Sequence, residues 1–129
     1  MSWKNRWRSI RTAWQGLTFT LRTEPNARIH AAVGGLVLLL AALFQIARWE
    51  WALLLVMIGM VWAAEIFNTA LEVLVDYVSP DQKEFAKVCK DLSAAGVLIT
   101  ALTAAAVGVL IFLPPLWDWL HGLGRMLMR

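Results

Sequence analysis

The sequence predicts an all-α membrane protein, with three transmembrane helices preceded by a helix on the membrane surface. Two observations carry this prediction. Of the 129 residues, 60% are hydrophobic and 16% are charged, and the apolar residues fall in three long runs. A soluble domain of this length could not bury so much apolar surface, whereas a bilayer accepts it. We expect a single membrane-embedded domain over residues 1–129, because the N-terminal segment lacks the pattern of a cleavable signal.

The segment before the first apolar run predicts a helix over about 2–23. Its apolar residues recur at alternating steps of four and three, and therefore share one helix face: Trp3, Trp7, Ile10, Trp14, Leu17 and Leu21. Basic residues occupy the other faces: Lys4, Arg6, Arg8 and Arg11. This pattern is typical of a helix that lies in the headgroup region beside anionic lipid. The alternative is a soluble amphipathic helix packed against a partner.

Three apolar runs, at about 29–47, 51–76 and 92–113, are each long enough to span a bilayer. About 20 residues, each rising about 1.5 Å, cross roughly 30 Å of hydrocarbon. We expect Pro114-Pro115 to end the third helix and to leave an interfacial tail over 114–129. Small residues in the first and third spans allow close helix packing, and three helices make a thin bundle. The sequence therefore also predicts an oligomer.

The distribution of charge predicts how the chain is oriented. Most basic residues precede the first span or lie between the second and third, whereas the turn between the first two spans carries only Arg48 and Glu50. Lysine and arginine collect on the cytoplasmic side, so we expect the N-terminus and the second loop to be cytoplasmic. The single cysteine, Cys89, excludes an internal disulfide. Because the basic residues are interleaved with tryptophans beside a span, we expect no nucleic acid partner.

The stretch EIFNTALEVLVD, at the end of the second span, carries polar residues where an apolar helix should continue. Glu65, Asn68, Glu72 and Asp76 are spaced three, four and four, which places them on one helix face. An ionised carboxylate at the depth of Glu65 costs at least about 2.5 kcal/mol unless it faces a partner, a metal or water. The stripe is therefore either a functional site or a set of pairs with arginines of neighbouring helices.

Two further charged groups are expected on the same side of the membrane, Glu24 before the first span and Lys90-Asp91 before the third. Carboxylates can bind Mg²⁺ together with phosphate oxygens, a lysine can hold a phosphate, and a buried carboxylate can act as a general base. The chain contains neither a P-loop nor a kinase-type glycine loop. These residues indicate a metal and phosphate site at the inner membrane surface, without specifying a reaction.

EIFNTALEVLVD resembles the signature of the small bacterial integral-membrane lipid kinases, the prokaryotic diacylglycerol kinase and undecaprenol kinase family. Four other stretches share the resemblance, which covers about 14–114: EPNARIH at 24–30, EW at 50–51, AKVCKD at 86–91 and IFLP at 111–114. The resemblance implies a homotrimer in the bacterial inner membrane, with a surface helix on each three-span subunit. It further implies transfer of the ATP γ-phosphate to a lipid hydroxyl, at composite sites that face the cytoplasm between subunits.

The resemblance also implies roles for individual residues. By motif position, Glu65 is similar to the general base that accepts the proton of the lipid hydroxyl. Glu24 and Glu72 match the Mg²⁺ ligands of the family. Asn68 matches the residue that orients the phosphates and the base region. Mg²⁺ and ATP are accordingly the cofactor and phosphate donor that we expect.

Four more positions are expected to contact the nucleotide. Lys90 and Asp91 match the family's contacts to phosphate and to adenine, and Arg6 is expected to reach the nucleotide from the surface helix. Lys83 stands where many relatives have histidine; a lysine can still meet phosphate, but without the pH switching of histidine near neutrality. Two further residues are expected to support the site: Asp76 and Arg28.

EPNARIH and the IFLP ending favour undecaprenol over diacylglycerol as the lipid substrate. We assign His30 no catalytic role, because a lone histidine at the start of a span is usually structural. Two other functions remain open. One is a non-catalytic small membrane subunit whose carboxylates pair across helices. The other is an ion or proton path through Glu65 and Glu72, for which the first and third spans offer no matching deep acid.

Overall fold

The computed structural model describes residues 2–81 and 83–127, and this part of the chain forms four α-helices. They are α1 (Trp3–Thr23), α2 (Pro25–Leu43), α3 (Arg48–Val78) and α4 (Glu84–Leu127). The helices α2, α3 and α4 are each long and apolar enough to cross a membrane, which confirms the all-helical prediction with three candidate spans. Residue 1 of the predicted domain and residues 128–129 of the predicted tail lie outside the described residues.

The junction between α1 and α2 is a single extended residue. Glu24 has φ −99° and ψ 115°, because the ring of Pro25 disfavours a helical conformation in the residue before it. Pro25 then opens α2 at a position where a missing N–H breaks no helical hydrogen bond. From α2, the guanidinium of Arg28 donates hydrogen bonds to the carbonyls of Leu21 (3.0 Å) and Arg22 (2.5 Å). These bonds cap α1 and fix the corner at Glu24.

Helix α2 ends four residues before the predicted end of the first span, so that boundary was wrong. The backbone turns at Gln45, which has φ 51° in the left-handed region. The N–H groups of Gln45 and Ile46 donate to the carbonyls of Ala42 and Ala41, each at 3.3 Å, the bonding pattern of a Schellman motif. Hydropathy missed this end because the residues after the turn are still apolar.

Helix α3 begins directly after this turn. Glu50 accepts a hydrogen bond at Oε2 from the N–H of Ala47 at 2.7 Å, which is one half of a capping box. The helix has 31 residues and is therefore about 46 Å long, more than the roughly 30 Å of hydrocarbon that it has to cross. The predicted span 51–76 falls inside it, and at least one end stands beyond the hydrocarbon.

Helix α4 is longer than the predicted third span at both ends. It begins at Glu84, eight residues earlier, and continues through Pro114 and Pro115 to Leu127. The expected stop at the prolines was therefore wrong. Each proline removes one backbone hydrogen bond and is unfavourable by about 3 kcal/mol in a soluble helix. Membrane helices nevertheless tolerate proline, because local adjustments and neighbouring groups satisfy the freed carbonyls.

Helices α3 and α4 pack along each other most extensively, while α1 and α2 contact α3 over shorter stretches. Near the turn between α2 and α3, three buried residues form the hairpin cluster: Ala41, Leu54 and Ile111. Phe44 and Phe112 pack beside it with ring centroids 6.3 Å apart. Most other large apolar side chains are exposed on the single chain. Lipid or neighbouring subunits are the surroundings that suit such a surface.

Candidate active site

The polar stripe of α3 faces into the helix bundle. Glu65, Asn68 and Thr69 are buried, Glu72 is half-buried, and Asp76 is exposed where the helix leaves the bundle. Burial therefore decreases along the stripe toward the end of α3. Steps of three and four keep these positions on one face, so the prediction of a single stripe is confirmed for the three deeper residues.

A chain of hydrogen bonds joins this stripe to α4. Ser93 Oγ donates to Asn68 Oδ1 at 2.6 Å, and Asn68 Nδ2 donates to Glu72 Oε1 at 3.0 Å. The first bond selects which end of the amide faces α4, and the amide N–H₂ is thereby directed at Glu72. Ser93 is one of the small residues of the third span, for which the sequence predicted only close helix packing. Its spacing of three from Lys90, on the same helix face, was the available signal.

Glu65 is the most deeply placed carboxylate in the molecule, with 1% of its surface exposed. His30 Nε2 lies 3.2 Å from Glu65 Oε1. This is an ion-pair distance rather than an aligned hydrogen bond, since Oε1 accepts no hydrogen bond from the described residues. The carboxylates of Glu24 and Glu72 act on Glu65 with repulsive charge. A buried carboxylate with so little compensation is unfavourable for folding, and in proteins such groups mark functional sites.

Six residues thus form what we call the polar cluster: Glu24, His30, Glu65, Asn68, Glu72 and Ser93. They come from the corner before α2, from α2 itself, from α3 and from α4. Side chains from such distant parts of the sequence are brought to one place because α1, α2 and α4 all approach α3 near Glu65 and Thr69.

Two of these carboxylates have oxygens available to a cation. Glu72 accepts a hydrogen bond at Oε1, and no described residue bonds its Oε2. Within the described ranges, the Glu24 carboxylate takes no hydrogen bond or ion pair, and no group of three His, Cys, Asp or Glu side chains is arranged to hold a metal. Mg²⁺ usually binds one or two carboxylates together with substrate phosphates. The donor set therefore fits Mg²⁺ that arrives with a phosphate.

Beyond the polar cluster, Lys90 and Asp76 form an ion pair between α4 and α3. Lys90 Nζ donates to Asp76 Oδ1 at 2.6 Å, and 27% and 54% of the two side chains are exposed. Asp76 lies one turn past Glu72 on α3, so the pair continues the stripe toward water. A lysine ammonium has three donors, and the ion pair uses one of them. The other two can bind a phosphate.

The structure does not bring Asp91 and Lys83 into this group. Asp91 pairs with Lys87 at 2.6 Å on the exposed face of α4, about 100° around the helix from Lys90. Lys83 precedes α4, and its carbonyl accepts the N–H groups of Ala86 and Lys87. Its side chain is exposed. Adjacent residues of a helix cannot share a face, so Lys90 faces α3 while Asp91 lies on the exposed side of α4.

Arg6 and Arg28 also lie apart from the polar cluster. The Arg6 guanidinium stands over the ring of Trp3, 5.9 Å from its centroid. It lies about 21 Å along α1 from Thr20, which is buried where α1 meets α3. Arg28 bonds the last carbonyls of α1, as described above, and supports the backbone beside Glu24.

An apolar groove of about 550 Å³ runs between α2, α3 and α4. At one end it is lined by His30, beside the polar cluster. At the other end it is lined by Leu54 and Phe112, at the hairpin cluster. Its walls are otherwise aliphatic or aromatic, apart from small residues on α4 that leave room between the helices. A long apolar molecule with one polar end matches this arrangement.

Comparison with known proteins identifies a family model and two relatives that are similar to this chain. The model of the prokaryotic diacylglycerol kinase family matches residues 11–112, a range that includes the whole polar cluster. An undecaprenol kinase of Bacillus subtilis is 36% identical over 104 residues, which cover 81% of this chain and 85% of that protein. A diacylglycerol kinase of Synechocystis sp. is 37% identical over 121 residues, which cover 88% and 69%. These two relatives are named for different lipid substrates.

Proposed function

The chain belongs to the prokaryotic diacylglycerol kinase family and is a multi-pass membrane lipid kinase with ATP as phosphate donor, and we propose that its lipid substrate is undecaprenol. The observation that carries this proposal is the buried Glu65 carboxylate beside the end of an apolar groove. The groove holds part of the isoprenoid chain, and the hydroxyl group reaches the polar cluster. Diacylglycerol is the alternative substrate.

In the proposed reaction, Glu65 accepts the proton of the lipid hydroxyl. The lipid oxygen then bonds to the γ-phosphorus of ATP, the bond from that phosphorus to the β–γ bridging oxygen breaks, and ADP leaves. Burial keeps water away from Glu65, so its lone pairs remain available to the substrate. Catalysis of phosphoryl transfer rests mainly on positioning and charge stabilisation, and a base held in place meets the first need.

Charge stabilisation is assigned to Glu24, Glu72, Asn68 and Lys90. Glu24 and Glu72 would hold Mg²⁺, which when bound supplies positive charge against the negative charge of the transferred phosphoryl group. Asn68 directs Glu72 through its hydrogen bond at 3.0 Å. Lys90, steadied by Asp76, binds phosphate with its remaining donors. Asp91, Lys83 and Arg6 would contact the nucleotide from exposed positions, since each side chain is open to solvent.

Undecaprenol is favoured over diacylglycerol by the lining of the groove, which is almost entirely apolar between its two ends. An isoprenoid alcohol has no polar group except its hydroxyl, whereas diacylglycerol carries two esters that would need partners near the mouth of the groove.

In the proposed assembly, three subunits form a homotrimer in the bacterial inner membrane, with the polar clusters facing the cytoplasm. The exposed apolar faces of α2, α3 and α4 supply surface for contacts between subunits. Helix α1 lies on the membrane surface, with Trp3, Trp7 and Trp14 in the headgroup region, where these side chains are exposed in the single chain. The tail after Pro114 lies at the opposite interface, where tryptophans such as Trp117 and Trp119 are favoured.

The test is transfer of radiolabelled phosphate from ATP by the purified protein in mixed micelles. Undecaprenol and diacylglycerol are offered separately, with Mg²⁺ and with EDTA. We expect Mg²⁺-dependent labelling that is faster for undecaprenol. Faster labelling of diacylglycerol would overturn the substrate assignment, and undiminished labelling in EDTA would overturn the assignment of Mg²⁺. Labelling of neither lipid by a folded oligomer would overturn the proposed substrate pair.

A further inference from the structure

His30 is the one side chain that belongs to both the polar cluster and the lining of the apolar groove. Its Nε2 lies 3.2 Å from Glu65 Oε1, and its side chain is 23% exposed against 2% for that of Glu65. His30 also lines the groove, whereas Glu65 does not. The imidazole therefore stands at the boundary between the space assigned to the lipid chain and the carboxylate assigned to the hydroxyl.

The charges around Glu65 make this contact important. The carboxylates of Glu24 and Glu72 place negative charge near that of Glu65, whereas His30 offers a polar nitrogen 3.2 Å from Glu65 Oε1. Lys90, the cation on the facing part of α4, is engaged with Asp76. Among the described residues, His30 is thus the side chain of α2 that contacts the Glu65 carboxylate.

The backbone that carries His30 is held in place by the contacts between α1 and α2. It lies in the second turn of α2, just after the proline that opens the helix and the arginine that caps α1. Two residues earlier along the same helix, Arg28 anchors this turn to the end of α1. An imidazole mounted on such a turn can hold a facing side chain in one orientation, because its own backbone is fixed on both sides.

We propose that His30 is a positioning residue for Glu65: it holds the Glu65 carboxylate against the end of the apolar groove, where the lipid hydroxyl enters. This inference rests on the proposed role of Glu65 as general base. His30 acts through Glu65 and does not itself accept the proton of the substrate. In this proposal, the affinity for ATP does not depend on His30.

The kinetic test compares His30→Leu with His30→Gln in mixed micelles, with the lipid that the wild type labels faster. The polar contact between the imidazole and the Glu65 carboxylate is lost in the first variant, so we expect kcat to fall by about 10- to 100-fold with the KM for ATP unchanged. His30→Gln keeps an N–H donor and should recover to within about fivefold of the wild type. The matched control is His121→Leu, since His121 is the only other histidine and lies at the far end of α4.

Three results would overturn the proposal. Near-normal kcat for His30→Leu would show that Glu65 needs no support. Equal losses for the leucine and glutamine variants, with equal losses of thermal stability, would make His30 a packing residue. A change in the KM for lipid with kcat unchanged would make it part of the lipid site instead.

A spectroscopic test does not depend on which lipid is the substrate. With ¹⁵N-labelled histidine and the His121→Leu background, the full-length protein gives imidazole signals from His30 alone. We expect Nε2 to be protonated and its signal to move when Glu65→Gln is introduced. An unprotonated Nε2, or a signal that does not move, would disprove the contact. If the contact is present but neither lipid is labelled, the proposed substrates fail and the pairing of His30 with Glu65 stands.

Discussion

The polar cluster and the hairpin cluster lie at opposite ends of one groove and are built on the same three helices, yet they are organised differently. In the hairpin cluster, the contacts are apolar and non-directional, and they join Ala41, Leu54 and Ile111. In the polar cluster, specific hydrogen bonds join Ser93 to Asn68 and Asn68 to Glu72, and Glu65 Oε1 is left without a hydrogen bond. The first arrangement stabilises the bundle, and the second leaves reactive groups available.

Among the variants that test this difference between the two clusters, Glu65→Gln is expected to have the largest effect. The amide is nearly the same size but cannot accept the proton of the lipid hydroxyl. Since a positioned general base contributes about 10²- to 10⁴-fold to a rate, we expect kcat to fall by that factor, with assembly of the proposed trimer and ATP affinity largely retained. The measurement is steady-state phosphate transfer, together with ATP binding by the same preparation.

The matched control for this prediction is Glu50→Gln, the same substitution on the same helix at the hairpin end. Glu50 caps the N-terminus of α3 through the N–H of Ala47. Its loss should lower stability slightly, by about 0.5–1 kcal/mol, and leave kcat within about twofold. If Glu65→Gln retained a kcat close to that of Glu50→Gln, Glu65 would not be the base.

The second largest effect is expected from Ile111→Ala, a substitution confined to the hairpin cluster. Ile111 is 4% exposed and packs against Ala41 and Leu54 without lining the groove. We expect Ile111→Ala to destabilise the protein by about 2–5 kcal/mol, seen as a lower temperature of thermal inactivation, with kcat at low temperature nearly unchanged. Leu110→Ala is the control, because Leu110 is 74% exposed in the single chain. A large fall in kcat without a loss of stability would contradict the separation of the two ends.

A smaller effect is expected from Ser93→Ala, which removes the donor that fixes the amide of Asn68. An intramolecular hydrogen bond contributes about 0.5–1.5 kcal/mol, so kcat/KM for ATP should fall by roughly two- to tenfold. Ser93→Thr keeps the hydroxyl and should retain most of the wild-type kcat/KM for ATP. An alanine variant with unaltered kinetics at every Mg²⁺ concentration would mean that Asn68 directs Glu72 without help from α4.

The two ends also differ in how well the sequence predicts them. The convergence of Glu65, Asn68 and Glu72 follows from helical spacing, which is a local property that the sequence displays directly. The partners of these residues could not be predicted in the same way. His30 and Ser93 reach α3 only through the packing of α2 and α4 around it, and no spacing within one helix encodes that packing.

The helix ends show the same limit. Hydropathy located three apolar helices, because the bilayer selects for apolar length. It misplaced the end of α2, because the left-handed turn at Gln45 is a property of the backbone and not of hydropathy. The course of α4 was misplaced for another reason, since Pro114-Pro115 were expected to end a helix that continues through them. The roles of Lys90 and Asp91 rest on the family resemblance and stay predictions; on the helix, these neighbouring residues point about 100° apart.

The smallest expected effect is that of Gln45→Gly, in the turn after α2. Gln45 holds φ 51°, a conformation that glycine adopts without strain and that costs other residues roughly 1 kcal/mol. Gln45→Gly removes that strain but makes the unfolded chain more flexible, so we expect a net gain of less than about 1 kcal/mol. The measurement is the temperature of thermal inactivation in mixed micelles, where kcat should not change.

Three substitutions at this position separate backbone strain from the loss of a side chain. Gln45→Gly should be the most stable, Gln45→Asn should lie near the wild type because asparagine tolerates the left-handed region, and Gln45→Val should be the least stable because a branched Cβ crowds it. If valine matched glycine, the turn would not require a left-handed residue, and α2 would be free to continue toward the predicted end of the first span. The hydrogen bonds from Gln45 and Ile46 to α2, both 3.3 Å long, form only when the backbone turns there, so stability and helix length are expected to change together.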